Sequence, residues 1–211
     1  MNDFLVKALQ QKILPAIVFH NDENVLPVAE AFLNGGLNVI EVPARTPVSL
    51  NAVDAIRKNF PEMFVGAGTL LTTTSMNNAI NAGAQFGLSS SLNTKVCNEA
   101  RQKKFPFIPG VMTPSEIELA YGLGYDIQKL FPASQIGGAS FLKAMLGPYE
   151  QLNIKFIPMG GINISNMHEY HQLKNVIAVG GSWLASKQMM LDKNYRGIEE
   201  TVRHALQQVK Y

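Results

Sequence analysis

The residue best placed to do chemistry in this chain is a lysine in an apolar setting. Lys129 lies within residues 125–132 (YDIQKLFP), a run that otherwise has the composition of a short buried strand ending at a proline. An ammonium group buried without a partner tends to lose its proton, and the resulting neutral amine is a nucleophile toward carbonyl carbon. We therefore predict that Lys129 forms a Schiff base. The alternative is a lysine whose stem packs along the sheet while its amine reaches solvent.

A carboxylate occupies a comparable position in an earlier apolar run. Residues 38–46 (NVIEVPART) place Glu41 within a predicted strand and Arg45 just after it. Strand alternation leaves the apolar neighbours of Glu41 for the helix-facing side of a parallel sheet, so Glu41 is expected to point inward. Burial disfavours a charged carboxylate unless a cation pairs with it, which makes Glu41 a candidate general acid or base. A purely structural ion pair of Glu41 with Arg45 or Lys129 is the alternative.

Two glycine pairs follow the last two apolar runs of the chain. Gly160 and Gly161 follow one run, and Gly180 and Gly181 follow the other, with Ser182 directly after the second pair. Glycine lets backbone N–H groups approach an anion closely, and a helix N-terminus after such a loop favours negative charge. Two equivalent strand ends favour a phosphate site over two simple turns, so we predict a phosphorylated substrate.

Short apolar, β-branched runs alternate with stretches of helical period along the chain. Strands are predicted at residues 13–19, 37–42, 63–66, 85–88, 107–109, 126–131, 155–158 and 176–179. Helices are predicted at residues 3–11, 24–33, 50–59, 75–82, 93–103, 114–123, 138–146 and 195–209. Eight strand–helix units without a linker indicate one α/β catalytic domain that spans residues 1–211. They favour a (β/α)8 TIM barrel with an extra N-terminal helix rather than an open doubly wound sheet. Catalytic residues of such a barrel lie at the carboxyl ends of its strands.

Composition excludes several classes of function. The formal charge of +2 comes from 18 basic and 16 acidic residues spread along the chain, which indicates neither a nucleic-acid nor a membrane surface. One cysteine, Cys97, allows no internal disulfide and no Cys/His metal cluster. We expect a soluble cytoplasmic protein without a cleaved signal and without a metal. His168, His171 and His204 lie on polar helical stretches without ligand spacing, and we expect them to be exposed.

Seven short motifs follow one another nearly end to end. They are Glu41 with residues 45–46 (RT), residues 65–69 (VGAGT), 83–86 (GAQF), 108–110 (IPG), 129–133 (KLFPA), 160–162 (GGI) and 180–183 (GGSW). Together they resemble the 2-keto-3-deoxy-6-phosphogluconate (KDPG) and 4-hydroxy-2-oxoglutarate (KHG) aldolase family. The resemblance implies a class I aldolase of the Entner–Doudoroff pathway, usually a homotrimer, that needs no metal and no cofactor.

The resemblance also implies a role for each candidate site residue. Lys129 would form the Schiff base and Glu41 would carry protons. Arg45 and Thr69 would hold the pyruvate-derived carboxylate and orient the carbonyl. The remaining substrate-binding residues would be Phe131, Gly160, Gly161, Gly180, Gly181 and Ser182. Of these, the glycines and the serine would bind the phosphate.

The chain departs from the family pattern at three places near the barrel mouth. Residues 89–91 are three serines where the family usually has Ser-Pro-Gly, Ser134 replaces a common glutamate, and Met159 replaces a common threonine. These changes leave the substrate preference open, so a related aldolase, for example of the 6-phosphogalactonate type, is an alternative. Two further classes stay open, a sugar-phosphate barrel enzyme that works without a covalent imine and a non-catalytic phosphosugar-binding protein.

Overall fold

The computed structural model describes residues 2–209. Its strands are β1 (Ile13–Pro15), β2 (Val39–Pro43), β3 (Phe64–Gly68), β4 (Phe86–Leu88), β5 (Phe107–Ile108), β6 (Gly110–Val111), β7 (Ile127–Leu130), β8 (Lys155–Pro158) and β9 (Val179–Gly181). Its α-helices are α1 (Asp3–Ala8), α2 (Val25–Gly35), α3 (Ser49–Asn59), α4 (Thr73–Asn81), α5 (Thr94–Gln102), α6 (Pro114–Gly122), α7 (Gly138–Leu146), α8 (Met167–His171), α9 (Lys187–Leu191) and α10 (Tyr195–Val209). Short 3-10 turns cover Asp22–Asn24, Gly147–Tyr149 and Trp183–Ala185.

The strands form a closed parallel ring. β2, β3, β4 and β5 pair in order, as do β6, β7 and β8, while β9 pairs with β1. Isolated bridges from Ala16 to Glu41 and from Met159 to Gly180 join these groups. β5 and β6 are two halves of one barrel strand, separated only by Pro109, which has no N–H to offer the ladder. The ring therefore contains eight strands, and the predicted (β/α)8 barrel is confirmed.

Local sequence signals explain where several helices begin and end. Thr72 and Ser75 form a reciprocal capping box at the start of α4, and Thr113 and Glu116 form another at the start of α6. Each box satisfies two backbone N–H groups that would otherwise lack a partner. α2 is capped after Gly35 by Gly36, whose φ of 96° is the left-handed conformation that glycine adopts without strain. These boundaries position the loops that carry the site.

The predicted N-terminal helix covers one end of the barrel. Phe4 of α1 packs edge-on against Phe64, the first residue of β3, with ring centroids 5.4 Å apart. α1 therefore lies at the amino-terminal end of the strands, opposite the end that carries catalytic residues in such barrels. The helix ends at Ala8 rather than at residue 11, and Lys12 has a φ of 60°, which does not fit a right-handed helix.

The structure corrects three details of the sequence prediction. The last strand, predicted at residues 176–179, is Val179–Gly181, because the glycine pair itself pairs with β1. α8 and α9 were not predicted, since five residues are too short to show a helical period. His168 and His204 are exposed as expected, but His171 is half-buried. Within residues 2–209, no helix is long and apolar enough to cross a membrane.

Candidate active site

Two charged side chains meet inside the barrel. Glu41 extends from β2 and Lys129 from β7, which are the second and sixth of the eight strands and so lie across the ring from each other. The Nζ atom of Lys129 is 3.8 Å from Oε1 of Glu41, and the two side chains are 5% and 1% exposed. Both side chains therefore point into the barrel, as predicted for Glu41, and they form a buried ion pair.

The neighbour of Lys129 explains why the lysine points inward. Gln128 lies on the helix-facing side of β7, where an apolar residue would be expected. Its Nε2 donates hydrogen bonds to the carbonyl oxygens of Ile117, in α6, at 3.1 Å and of Tyr125 at 3.0 Å. The amide nitrogen is therefore partnered on the outer side of the sheet, and strand alternation directs Lys129 into the barrel.

Glycine makes room for the Glu41 carboxylate. A β-carbon added at Gly68 would lie 1.7 Å from Oε1 of Glu41, and one added at Gly66 would lie 2.3 Å from the ring of Phe86. Both glycines lie within β3, where the missing side chains allow close packing. Oε2 of Glu41 is buried and has no hydrogen-bond partner within residues 2–209. This oxygen therefore has unused hydrogen-bonding capacity inside the barrel.

Arg45 and Thr69 lie together at the rim of the same site. Nε of Arg45, just after β2, donates a hydrogen bond of 2.9 Å to Oγ1 of Thr69, just after β3. Thr69 has a φ of 58°, a left-handed conformation that is uncommon for a β-branched residue. Thr46 holds the other side of the Arg45 loop by donating to the carbonyl oxygen of Phe19 at 2.7 Å. The guanidinium is therefore held at the carboxyl ends of the strands, although its side chain is solvent-exposed.

These side chains surround a cavity of about 310 Å³. The predicted site residues that line it are Glu41, Arg45, Lys129, Phe131, Gly160, Gly161, Gly181 and Ser182. The Phe131 ring lies beside the amine, with its centroid 5.4 Å from Nζ of Lys129. Thr69 reaches the site through Arg45 rather than by lining the cavity. The rest of the lining is apolar and consists of Ala16, Val18, Pro43, Met159, Ile162 and Trp183. The sequence did not identify most of these residues as part of the site.

The four glycines of the two pairs have different environments. Gly160 and Gly161 have φ values of 93° and 74°, and a β-carbon at Gly161 would lie 2.6 Å from Cβ of Ser134. They let the loop after β8 sit against the loop after β7. A β-carbon at Gly180 would lie 2.0 Å from Cε of Met159, so Gly180 serves packing inside the barrel and does not line the cavity. Three of the four glycines thus face the cavity.

Comparison with known proteins identifies the family. Residues 6–201 match the family model described as "Aldolase: KDPG and KHG aldolase". The chain belongs to this aldolase family. A 2-dehydro-3-deoxy-phosphogluconate aldolase of Haemophilus influenzae is 36% identical over 204 residues, which are 97% of this chain and 95% of the relative. The KHG/KDPG aldolase of Escherichia coli K12 is 37% identical over 198 residues, or 94% and 92% of the two chains.

A solved aldolase structure shares the fold of this chain closely. The KDPG aldolase of Legionella pneumophila, crystallised with pyruvate captured as a covalent carbinolamine intermediate, superposes with a TM-score of 0.90. Its sequence is 37% identical, and the match covers 94% of this chain and 96% of that one. The thiamine phosphate pyrophosphorylase of Pyrococcus furiosus, at 16% identity and a TM-score of 0.69, shares the fold alone.

The three departures of this aldolase from the family pattern lie at different depths. Met159 is buried and lines the cavity. Ser134 packs against Gly161, and its hydroxyl is 3.4 Å from that of Tyr170. The three serines at residues 89–91 lie outside the cavity lining, where the backbone of residue 90 packs on Gly110. Of the three departures, only Met159 therefore forms part of the cavity surface. Within the described part of the chain, no group of three His, Cys, Asp or Glu side chains could hold a metal ion.

Proposed function

We propose that this chain is a class I aldolase that cleaves KDPG into pyruvate and glyceraldehyde 3-phosphate through a Schiff base on Lys129. One observation carries the proposal: the buried amine of Lys129 lies 3.8 Å from a buried carboxylate, in a cavity at the carboxyl ends of the barrel strands. A nucleophilic lysine needs a neutral amine, and a neighbouring carboxylate produces it by taking a proton from the ammonium group. The names of the H. influenzae and E. coli relatives support the same reaction.

Imine formation is the first stage of the proposed mechanism. Lys129 transfers a proton to Glu41, and its neutral amine attacks C2 of the 2-keto acid to form a carbinolamine. Glu41 returns the proton to the carbinolamine hydroxyl, which leaves as water. The product is a protonated imine joining C2 to Nζ, and Glu41 is again a carboxylate. Since Glu41 is buried beside the amine, each proton travels only a short distance.

Carbon–carbon cleavage follows from the charge on the imine. Glu41 takes the proton of the C4 hydroxyl, and the C3–C4 bond breaks as C4 becomes the aldehyde of glyceraldehyde 3-phosphate. The electron pair of that bond moves to C3 and into the imine, which becomes a neutral enamine. Glu41 then protonates the enamine at C3. Water attacks C2 of the resulting protonated imine, and pyruvate leaves as the Lys129 ammonium and the Glu41 carboxylate are restored.

Binding residues hold the two ends of the substrate. Arg45, positioned by Thr69, would bind the C1 carboxylate at the rim. The backbone N–H groups of the glycine loops, together with the hydroxyl of Ser182, would bind the phosphate, since unpaired N–H groups of such loops favour anions. In KHG a carboxylate bonded to C4 takes the place of C5, C6 and the phosphate, and the same chemistry at C2 to C4 extends to it. We also propose one catalytic domain over residues 1–211, a homotrimeric assembly and a cytoplasmic location.

Trapping of the imine tests the proposal directly. The protein is incubated with pyruvate and sodium borohydride, and peptide mass spectrometry locates any added mass. A reduced pyruvyl adduct on Lys129 is the expected result, accompanied by release of pyruvate from KDPG in a coupled assay. A folded protein that cleaves KDPG without any trapped adduct would favour a non-covalent mechanism. Tight binding of KDPG without turnover would favour a binding protein.

A further inference from the structure

The stretch of cavity between the lysine and the glycine loops is apolar. Lys129 pairs with Ile157 across β7 and β8, so Phe131 and Met159, two residues further along each strand, lie one step closer to the mouth. Gly160 follows Met159 directly. Met159 is 3% exposed and lines the cavity at this level, between the amine below and the loop above. Its methyl group packs toward Gly180, which keeps the thioether in this place.

Most of the other side chains that line the cavity are apolar too. Ala16, Val18, Pro43, Ile162 and Trp183 are the other apolar residues of the lining, and its polar side chains are Glu41, Lys129, Arg45 and Ser182. The indole N–H of Trp183 is buried and so does not open onto the cavity space. We call the seven apolar side chains of the lining the apolar band: Ala16, Val18, Pro43, Phe131, Met159, Ile162 and Trp183.

A six-carbon substrate places one carbon against this band. In the proposed mechanism C2 is bound to Lys129, the C4 hydroxyl faces Glu41 and the phosphate lies at the glycine loops, so C5 and its hydroxyl would pass Met159, which lines the cavity. A site discriminates strongly for a hydroxyl only when it offers a hydrogen-bond partner that would otherwise be left unpaired. No side chain of the apolar band offers one.

We propose that Met159 makes this aldolase nearly indifferent to the configuration of the hydroxyl at C5. The inference rests on the proposed function, because it assumes that the substrate is joined to Lys129. In the direction of synthesis, C5 is C2 of the aldehyde acceptor. The chain would therefore add pyruvate to D- and L-glyceraldehyde 3-phosphate with similar efficiency. Its substrates would be phosphorylated 2-keto-3-deoxy acids of both C5 configurations.

The experiment measures kcat/KM for each aldehyde with saturating pyruvate. For the native chain we expect the two values to differ by less than about tenfold. Met159→Thr adds a hydroxyl to the apolar band, and we expect it to change the ratio of the two values by about threefold or more, the effect of one net hydrogen bond. Met159→Leu keeps the band apolar at similar volume and should leave the ratio within about threefold of the native value. Met145→Thr, on α7 outside the cavity lining, is the control for a methionine-to-threonine change elsewhere.

The outcomes separate this inference from the proposed function. A native ratio of tenfold or more, or a ratio that Met159→Thr shifts by less than threefold, overturns the inference. An equal shift of the ratio in Met159→Leu also overturns the inference, because the shape of the side chain rather than hydrogen bonding would then determine the ratio. Borohydride trapping of pyruvate on Lys129 is performed on every variant to show that the site is intact. If the native chain itself forms no adduct, the proposed function fails and this inference fails with it.

Discussion

The carboxylate of Glu41 lies directly over the bare Cα of Gly68, where a β-carbon would come within 1.7 Å of Oε1. The general acid–base group proposed for the reaction is thus held by the absence of a side chain on the neighbouring strand. The 3.8 Å separation of Glu41 from Lys129 depends on this fit. Any side chain at position 68 must push the carboxylate away from the position it now occupies.

We therefore expect Gly68→Ala to reduce kcat for KDPG cleavage about 100-fold, the typical cost of misplacing a catalytic group by about 1 Å. Trapping of pyruvate should slow but still occur on Lys129. The matched control is Gly122→Ala in α6, where an added β-carbon meets nothing within 4 Å. Steady-state kinetics and thermal unfolding are compared for both variants. Native activity in Gly68→Ala would contradict the assignment of Glu41.

Substitutions of Lys129 and Glu41 should impair different steps of the reaction. Lys129→Ala removes the nucleophile, so turnover and pyruvate trapping should both vanish. Glu41→Gln keeps the shape but cannot carry protons, and we expect kcat to fall by roughly 10² to 10⁴ while trapping on Lys129 remains detectable. Lys143→Ala, an exposed lysine of α7, is the control. Circular dichroism verifies folding in each case, and appreciable activity in either active-site variant would refute the mechanism.

Thr69 should act through Arg45. Thr69→Ala removes the acceptor that holds Nε of Arg45, so the guanidinium becomes free to move. Loss of one such hydrogen bond corresponds to about 1 kcal/mol, or roughly a fivefold rise in the KM for pyruvate in the synthesis direction. The value of kcat should change less than KM. Thr74→Ala, at an exposed position of α4, provides the comparison; an unchanged KM in Thr69→Ala would indicate that Arg45 does not depend on this contact.

His171 should make stability depend on pH. Burial, with a further contribution from nearby Lys12, lowers the pKa of His171 from 6.5 to about 4. Between these values the unfolded chain binds a proton that the folded chain does not. The contribution of His171 to the free energy of unfolding is therefore fully present above pH 6.5 and is lost as the pH drops toward 4. After a discount for the partly exposed ring, the loss is about 2 kcal/mol.

Urea unfolding at about pH 7.5 and about pH 5 measures this effect, since the two values lie on either side of the ordinary histidine pKa. His171→Gln should remove part of the difference between the two pH values, while His168→Gln, exposed on the same helix, should leave it in place. A pH dependence that is identical in both variants would show that His171 is not its source.

Cys97 provides a chemical test of the fold. It is the only cysteine of the chain and is buried in α5, where burial raises the pKa of its thiol to about 11. Because the thiolate is the reactive form, a thiol-specific reagent at about pH 8 should leave the folded protein unmodified. One equivalent should react after unfolding in guanidinium chloride. Rapid reaction of the native protein would contradict the position of α5.

Periodicity and strand-end chemistry in the sequence determined the closed barrel, the inward direction of Glu41 and Lys129, and the glycine loops at the mouth. These follow from local rules, because alternation decides which face a side chain occupies and turns require particular residues. The resemblance to the aldolase family added the roles of Arg45 and Thr69, which adjacent strands then placed within hydrogen-bonding distance.

Only the tertiary structure decided what surrounds each of these groups. Gly68 is of a residue type that is common in turns, but it lies in a strand and makes room for the Glu41 carboxylate. Gly180 belongs to a glycine pair but packs on Met159. His171 lies on a polar helix but is half-buried. Each depends on which residue of a different strand or helix comes to lie opposite. That pairing is set by the closure of the whole ring, and a local pattern carries no information about a partner that lies far away along the chain.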